Sequence, residues 1–262
     1  MEDMTMADFY GGAVEVARRT MTLFFLVDTS GSMDGSKIGT LNSAVEEVIP
    51  EIRKLSGENA DAAIKIAVLE FSSGARWITS APMDANDFRW NYLNADGLTD
   101  FGEMCKMLNE KLSRSAFMSD VAGSFAPAIF LLSDGEPTDD YQKELGKLKE
   151  NNWFKKAIKV AIAIGDDANK DVLAEFTGNK EAVITVHTPE ALTKMIRFVS
   201  VTASQIGSKS SGVGKGGVDQ APSKQGAAIE AIGAAVQGGD MGAGVTMVNT
   251  SPDSEDPEAW DW

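Results

Sequence analysis

"LFFLVDTSGSMDGSK", residues Leu23–Lys37, carries five apolar side chains in a row into an acid and then a loop of serines and glycines. A short apolar run bounded by such turn residues reads as a buried strand, here Met21–Asp28. Asp28 closes it, and Ser30 and Ser32 follow at alternate positions, so in an extended loop all three oxygens project to one side. In an open α/β sheet, ligands bind in the crevice beyond the carboxyl ends of the strands, where strand order reverses. The other strand ends therefore decide what this loop can do.

From Thr20 to Ile206 the chain alternates β-branched or aromatic runs with helical periodicities. A helix follows the first strand, with Ile38, Leu41, Val45, Val48, Ile52 and Leu55 on one face, a kink expected at Pro50 and a C-cap at Gly57. Ala63–Ser73 reads as a second strand, and Ala75–Ser80 follows after Gly74 alone, too tight for anything but an antiparallel hairpin. The remaining strands are expected at Ala126–Asp134, Ala157–Gly165 and Ala182–Thr188. Helices lie between them: Phe101–Leu112, one capped by Thr138, one closed by Gly178 and one opened by Pro189. The pattern predicts an α/β fold: a doubly wound, Rossmann-like, mostly parallel six-stranded sheet with one antiparallel edge strand and helices on both faces.

Composition divides the chain and narrows its partners. Residues 1–19 form a lead-in, 20–206 the domain, and 207–262 a Gly/Ser-rich linker with an acidic tail, expected to be disordered apart from a fragile helix at Ala227–Gln237. A net charge of −15 gives no counterion-release affinity for nucleic acid or anionic lipid, so neither is an expected partner. No basic-then-apolar leader and no long apolar span is present, which reads as a cytoplasmic protein. The one cysteine, Cys105, excludes an internal disulfide and reads as a small buried hydrophobe; the methionines read as packing.

Two more strand ends complete the candidate site. Asp134 ends a central strand with Gly135 behind it for a tight turn, and Thr99 precedes a helix in "DGLTDFGEM". Asp28, Ser30, Ser32, Thr99 and Asp134 offer carboxylate and hydroxyl oxygens without sulfur or imidazole, a set for a hard cation: Mg²⁺ first, with Mn²⁺ or Ca²⁺ as substitutes. Two carboxylates balance a divalent charge and three neutral hydroxyls leave the metal Lewis-acidic, open to one more carboxylate. The EF-hand pattern fails, since Ser30 and Ser32 stand where acids or Asn belong, and a phosphoaspartyl enzyme would want an acid at Ser30. The lone His187 reads as structural, and Asp100, Asp139, Asp140, Asp166 and Asp167 read as caps or supporting groups.

"DTSGSM" at Asp28–Met33 resembles the metal-ion-dependent adhesion site motif, Asp-x-Ser-x-Ser, of von Willebrand factor type A (VWA) domains. "LTDFG" places Thr99 on the second loop of that motif, and "LLSDGEPTDD" places Asp134 on the third. "SDGEPTDDY" and "AIAIGDDANKDVLAEFTG" are similar to the bacterial TerY-like, tellurium-resistance-associated branch, although the Gly-rich, cysteine-free tail departs from its zinc-binding relatives. The resemblance implies a Mg²⁺-dependent adaptor without catalytic residues, in which a partner's Asp or Glu completes the metal sphere, set in a bacterial stress-response or TerY-like signalling assembly. The competing classes are a metal-dependent phosphoryl-transfer or hydrolytic enzyme and a regulatory subunit of an ATPase, kinase or phosphatase complex. In the tail, Trp260, Trp262, Asp256 and Glu258 read as a docking peptide; alternatively the carboxylates Asp253, Glu255, Asp256, Glu258 and Asp261 occupy the metal site of this chain or of a neighbouring copy.

Overall fold

The structure is a computed structural model, and it describes residues 18–120, 123–165, 167–208, 223–239 and 245–247. Eight strands make one sheet: β1 (Arg19–Asp28), β2 (Ala62–Ser72), β3 (Gly74–Trp77), β4 (Met83–Asp84), β5 (Ala128–Ser133), β6 (Ile158–Ile164), β7 (Val183–Val186) and β8 (Val245–Met247). Their order is β3-β2-β1-β5-β6-β7-β8, with β4 also on β2. β2, β1, β5, β6 and β7 run parallel, while β3, β4 and β8 pair antiparallel. Strand order therefore reverses at β1, with β2 to one side and β5 to the other.

β1 shows why an apolar run without alternation suits this place. Met21, Leu23, Phe25 and Val27 enter one core, together with residues of helices α1 (Ser36–Glu58), α6 (Pro189–Ser208) and α7 (Lys224–Gln237). Phe24 and Leu26 enter the other, with α2 (Phe101–Lys111), α3 (Gln142–Glu150), α5 (Lys170–Thr177) and Phe154 of the short α4 (Asn152–Lys156). Every second residue thus faces an opposite layer of helices, and neither face can be polar. Cys105 is buried in the second core, and burial pushes its thiol pKa up, so it behaves as a packing residue.

The α/β architecture, the mostly parallel sheet and the hairpin edge agree with expectation, and the differences lie in the short elements. Two strands are added to the six expected, β4 at one side and β8 at the other; at two and three residues they carry no readable periodicity. Helix α3 begins at Gln142, because Thr138 uses its hydroxyl elsewhere and does not cap it. Helix α1 runs through Pro50 and past Gly57 to Glu58. Gly178 closes α5 in the left-handed region, as expected.

Within 207–262, the helix expected at Ala227–Gln237 is present as α7, three residues longer at its start. Helix α6 runs to Ser208, and α7 is capped by Ser223, whose hydroxyl accepts the Gly226 N–H at 3.1 Å. Gln225 ties α7 to the sheet, accepting the Lys159 N–H at 2.7 Å and donating to the Lys159 carbonyl at 2.9 Å. Ala228, Ile229, Ile232 and Ala235 bury one face against the core, so tertiary packing overrides the weak helical propensity of an Ala/Gly segment. Ile232→Ala should lower unfolding free energy by about 2–4 kcal/mol. Chemical denaturation measures this, and a loss below about 0.5 kcal/mol, the range of surface changes, would mean that α7 does not belong to the core.

Candidate metal centre

β1 and β5 pair in register up to Val27 opposite Leu132, which sets Asp28 beside Ser133 and one residue short of Asp134. Both acids stand at the strand-order reversal and both are buried, Asp28 at 0% and Asp134 at 1% exposure. Asp28 is held from two sides: Oδ1 accepts the Ser30 N–H at 2.9 Å, and Oδ2 accepts the Ser133 hydroxyl at 2.6 Å. The same Ser133 oxygen accepts the Gly135 N–H at 2.8 Å. Ser30 Oγ and Ser32 Oγ lie 3.0 Å apart, with Ser30 buried and Ser32 exposed.

Backbone bonds lock three loops together around these groups. The Gly31 N–H donates to Gly97 O at 3.0 Å and the Asp96 N–H to Thr29 O at 2.8 Å, joining the Asp28 loop to the loop that carries Thr99. Thr99 is in turn bound reciprocally to Thr138: its N–H donates to Thr138 Oγ1 at 2.9 Å, and its carbonyl accepts the Thr138 N–H at 3.0 Å. That bond is the work of the hydroxyl expected to cap α3. Asp139 Oδ2 accepts the Gly102 N–H at 2.8 Å, so this acid caps α2 from another loop, and Asp100 Oδ2 accepts the Gly74 N–H at 2.7 Å. The Asp134 carbonyl accepts the Asn169 N–H at 2.7 Å, so the loop after β5 is sealed against the start of α5. Gly135 makes that approach possible: its φ is +71°, and a Cβ there would meet Asn169 O at 2.7 Å.

The charges at this end are unequally satisfied. Burial pushes the Asp28 carboxyl up to about 6; hydrogen bonds from Ser133 and Ser30 work against it, and the nearby Asp134 charge adds to it. Asp134 Oδ2 accepts from Lys37 Nζ at 3.2 Å, whereas Asp134 Oδ1 is buried with no hydrogen-bond partner. Lys37 also reaches Asp167 at 3.0 Å. Burial pulls the Lys37 pKa down, and the two carboxylates more than offset it. Asp167 is held below its ordinary range first by that bond, and Asn169 in its place caps α5. An orphaned carboxylate oxygen and a destabilised buried acid, beside two neighbouring hydroxyls, are what a hard cation would relieve. Among the described residues no three His, Cys, Asp or Glu side chains gather at one point, so any cation here relies on hydroxyl oxygens as well as the two acids.

Asp28, Ser30 and Ser32 therefore share one loop, with Asp134 on the neighbouring strand end and Thr99 on the loop bonded to both. Ser133 and Lys37 escaped the sequence reading. Ser133 was legible in principle as a hydroxyl next to the acid ending a buried strand; Lys37 belongs to the first turn of α1 and nothing local points to its partners. His187, at the end of β7, shares with Lys37 a cleft of about 220 Å³, and its Nε2 lies 3.5 Å from Thr246 Oγ1. Asp166, Asp256, Glu258, Trp260 and Trp262 lie outside the described residues.

Comparison with known proteins agrees with this architecture. Among solved structures, the chain is similar to a von Willebrand factor type A protein from Catenulispora acidiphila (19% identity, TM-score 0.53, 71% of this chain and 43% of the other). It is similar to proximal thread matrix protein 1 from the mussel byssus with a zinc-occupied MIDAS motif (18%, 0.52, 72% and 48%). A third is the pilus adhesin SpaC from Lactobacillus rhamnosus GG in its open conformation (14%, 0.53, 70% and 30%). At these identities the likeness is one of fold, and the chain spans less than half the length of each of these structures. A search of the curated proteins finds no significant match. The family model of the von Willebrand factor type A domain matches residues 22–198, a stretch that holds every strand from β2 to β7, most of β1, and all three loops of the site; the chain belongs to the von Willebrand factor type A domain family.

Proposed function

We propose that this chain is a Mg²⁺-dependent protein-interaction module whose open metal site takes a carboxylate from a partner protein. The observation that carries the reading is the buried Asp134 Oδ1 without a hydrogen-bond donor, one residue beyond Ser133, which holds Asp28. Asp28 and Asp134 would balance a divalent charge, and Ser30, Ser32 and Thr99 would supply neutral oxygens. Bound there, the cation would offer positive charge and an open position to an incoming carboxylate oxygen. The bonds from Ser30 and Ser133 hold Asp28 in one orientation, and the Thr99–Thr138 pair fixes the second loop against the third.

The family supports the reading, since VWA domains are typically interaction modules, and so does a relative whose MIDAS motif has been seen with zinc. Mg²⁺ is our choice among divalent ions because the candidate donors are all oxygens. A bacterial stress-response setting is the part of the proposal drawn from the TerY-like stretches "SDGEPTDDY" and "AIAIGDDANKDVLAEFTG". No helix among the described residues is long and apolar enough to cross a membrane.

Mg²⁺ should raise the melting temperature of the EDTA-treated chain, corresponding to about 2.7 kcal/mol at a hundredfold excess over its Kd. Asp28→Asn should abolish the response while leaving the chain in EDTA at least as stable as its parent, because an amide there confines no charge away from water. No shift with Mg²⁺, Mn²⁺ or Ca²⁺ would overturn the metal reading. Lys37→Met removes an ammonium that stands 3.2 Å from Asp134 and should tighten Mg²⁺ binding about 3- to 10-fold by calorimetry, the fold-change of an ion pair worth about 1 kcal/mol. For the partner, co-purification should yield a protein in Mg²⁺ that is lost both in EDTA and with Asp28→Asn; turnover of a phosphate ester without such capture would instead favour an enzyme.

A further inference from the structure

The opposite end of the sheet carries a second feature that the metal reading does not use. A groove of about 600 Å³ is lined by Arg19, Arg114, Lys155, Lys156 and Lys224 around Trp153, with no acid lining it among the described residues. In a chain of net charge −15 this concentration of cations is against the trend of the whole surface. All of it lies at the amino ends of the parallel strands: Arg19 begins β1, and Lys155 and Lys156 directly precede β6. Like charges are crowded here. The Lys224 pKa is pulled down by burial first and by Arg19 second. Arg19 stacks on Phe125 at 3.9 Å from the ring centre and donates to the Ser124 carbonyl, and Lys155 reaches Glu150 at 2.7 Å. Five cations thus line the groove among the described residues.

The direction of β8 leaves a matching anion within reach of that end. β8 is antiparallel to β7, with Val245 opposite Val186 and Met247 opposite Ile184, so it runs from the metal end of the sheet toward the groove end. Fifteen residues follow Met247, enough to span about 50 Å when extended. From β8 to β6 and on to β1 is only two to four strand spacings, roughly 10–20 Å. Residues 251–262, "SPDSEDPEAWDW", hold five carboxylates, Asp253, Glu255, Asp256, Glu258 and Asp261, and no Lys or Arg. Their two tryptophans suit guanidinium and ammonium faces such as those around Trp153.

We propose that the groove lined by Arg19, Arg114, Lys155, Lys156 and Lys224 is a docking site for an acidic, tryptophan-bearing peptide, and that its occupant is the chain's own segment 251–262. Oppositely charged groups on one chain meet at millimolar-order effective concentration, so modest contacts suffice for occupancy. The groove and the metal centre lie at opposite ends of β1, so the segment cannot serve both at once.

Carbodiimide coupling of carboxylates to lysine amines in the full-length chain, mapped by mass spectrometry on a mixture of isotopically light and heavy protein, tests this. The expected result is light–light and heavy–heavy links from Asp253, Glu255, Asp256, Glu258 or Asp261 to Lys155, Lys156 or Lys224. Their yield should fall about tenfold in roughly 0.5 M salt, which screens exposed charge pairs. It should fall similarly in the double variant Arg114→Glu, Lys156→Glu, whose two positions are exposed and outside the core. Links to Lys37 would place the segment at the metal centre and overturn the proposal, as would light–heavy links or links spread over lysines of other faces such as Lys54 and Lys147.

Discussion

Two carboxylates kept out of water at the ends of neighbouring parallel strands are the constraint on which the rest of this molecule is arranged. β1 and β5 pair along their apolar runs, Leu23–Val27 against Ala128–Leu132, and the pairing carries Asp28 and Asp134 into a place closed to water, where burial pushes the Asp28 carboxyl up. The surrounding structure answers that cost piece by piece. Ser133 and the Ser30 amide bind Asp28, Lys37 reaches Asp134, and the loop backbones are bonded to one another so that the acids cannot turn outward. What is left over at these two acids is Asp134 Oδ1, a carboxylate oxygen without a donor; among the described residues Asp139 Oδ1 is another, on the loop that caps α2.

Much of this could be read from the residues because it follows from strong, local signals. An apolar run that stops at an acid, followed by alternating serines, marks both a buried strand and its functional end, and Asp134 repeats the pattern on β5. The helices with charged faces and apolar stripes were legible for the same reason. The supporting bonds were not. Thr138 faces a choice between capping α3 and bonding Thr99, and Asp167 between capping α5 and pairing with Lys37; in each case a neighbour from a distant loop wins. No spacing rule sees such a competition, since the partners are separated by 39 and 130 residues.

The C-terminal part was legible only as a fragile helix. Its alanines and glycines look poor in apolar surface, yet α7 needs only one face, and the sheet already presents the complementary one. Gln225 then replaces the missing hydrophobic area with two bonds to the backbone of β6. Propensity describes a helix alone, whereas this one is held by what it lies on. The same contacts bring Ser223 and Lys224 to the amino ends of the strands, so the segment both completes one core and helps to build the basic groove.

β8 has a further consequence. Without it, β7 would form the border of the sheet and offer the backbone of Ile184 and Val186 to any extended chain that met it. β8 takes up that border instead, pairing Val245 with Val186 and Met247 with Ile184. At the far border, β3 and β4 are four and two residues long. The segment that looks most dispensable in the sequence thus covers a sheet edge that would otherwise be open to pairing with another chain.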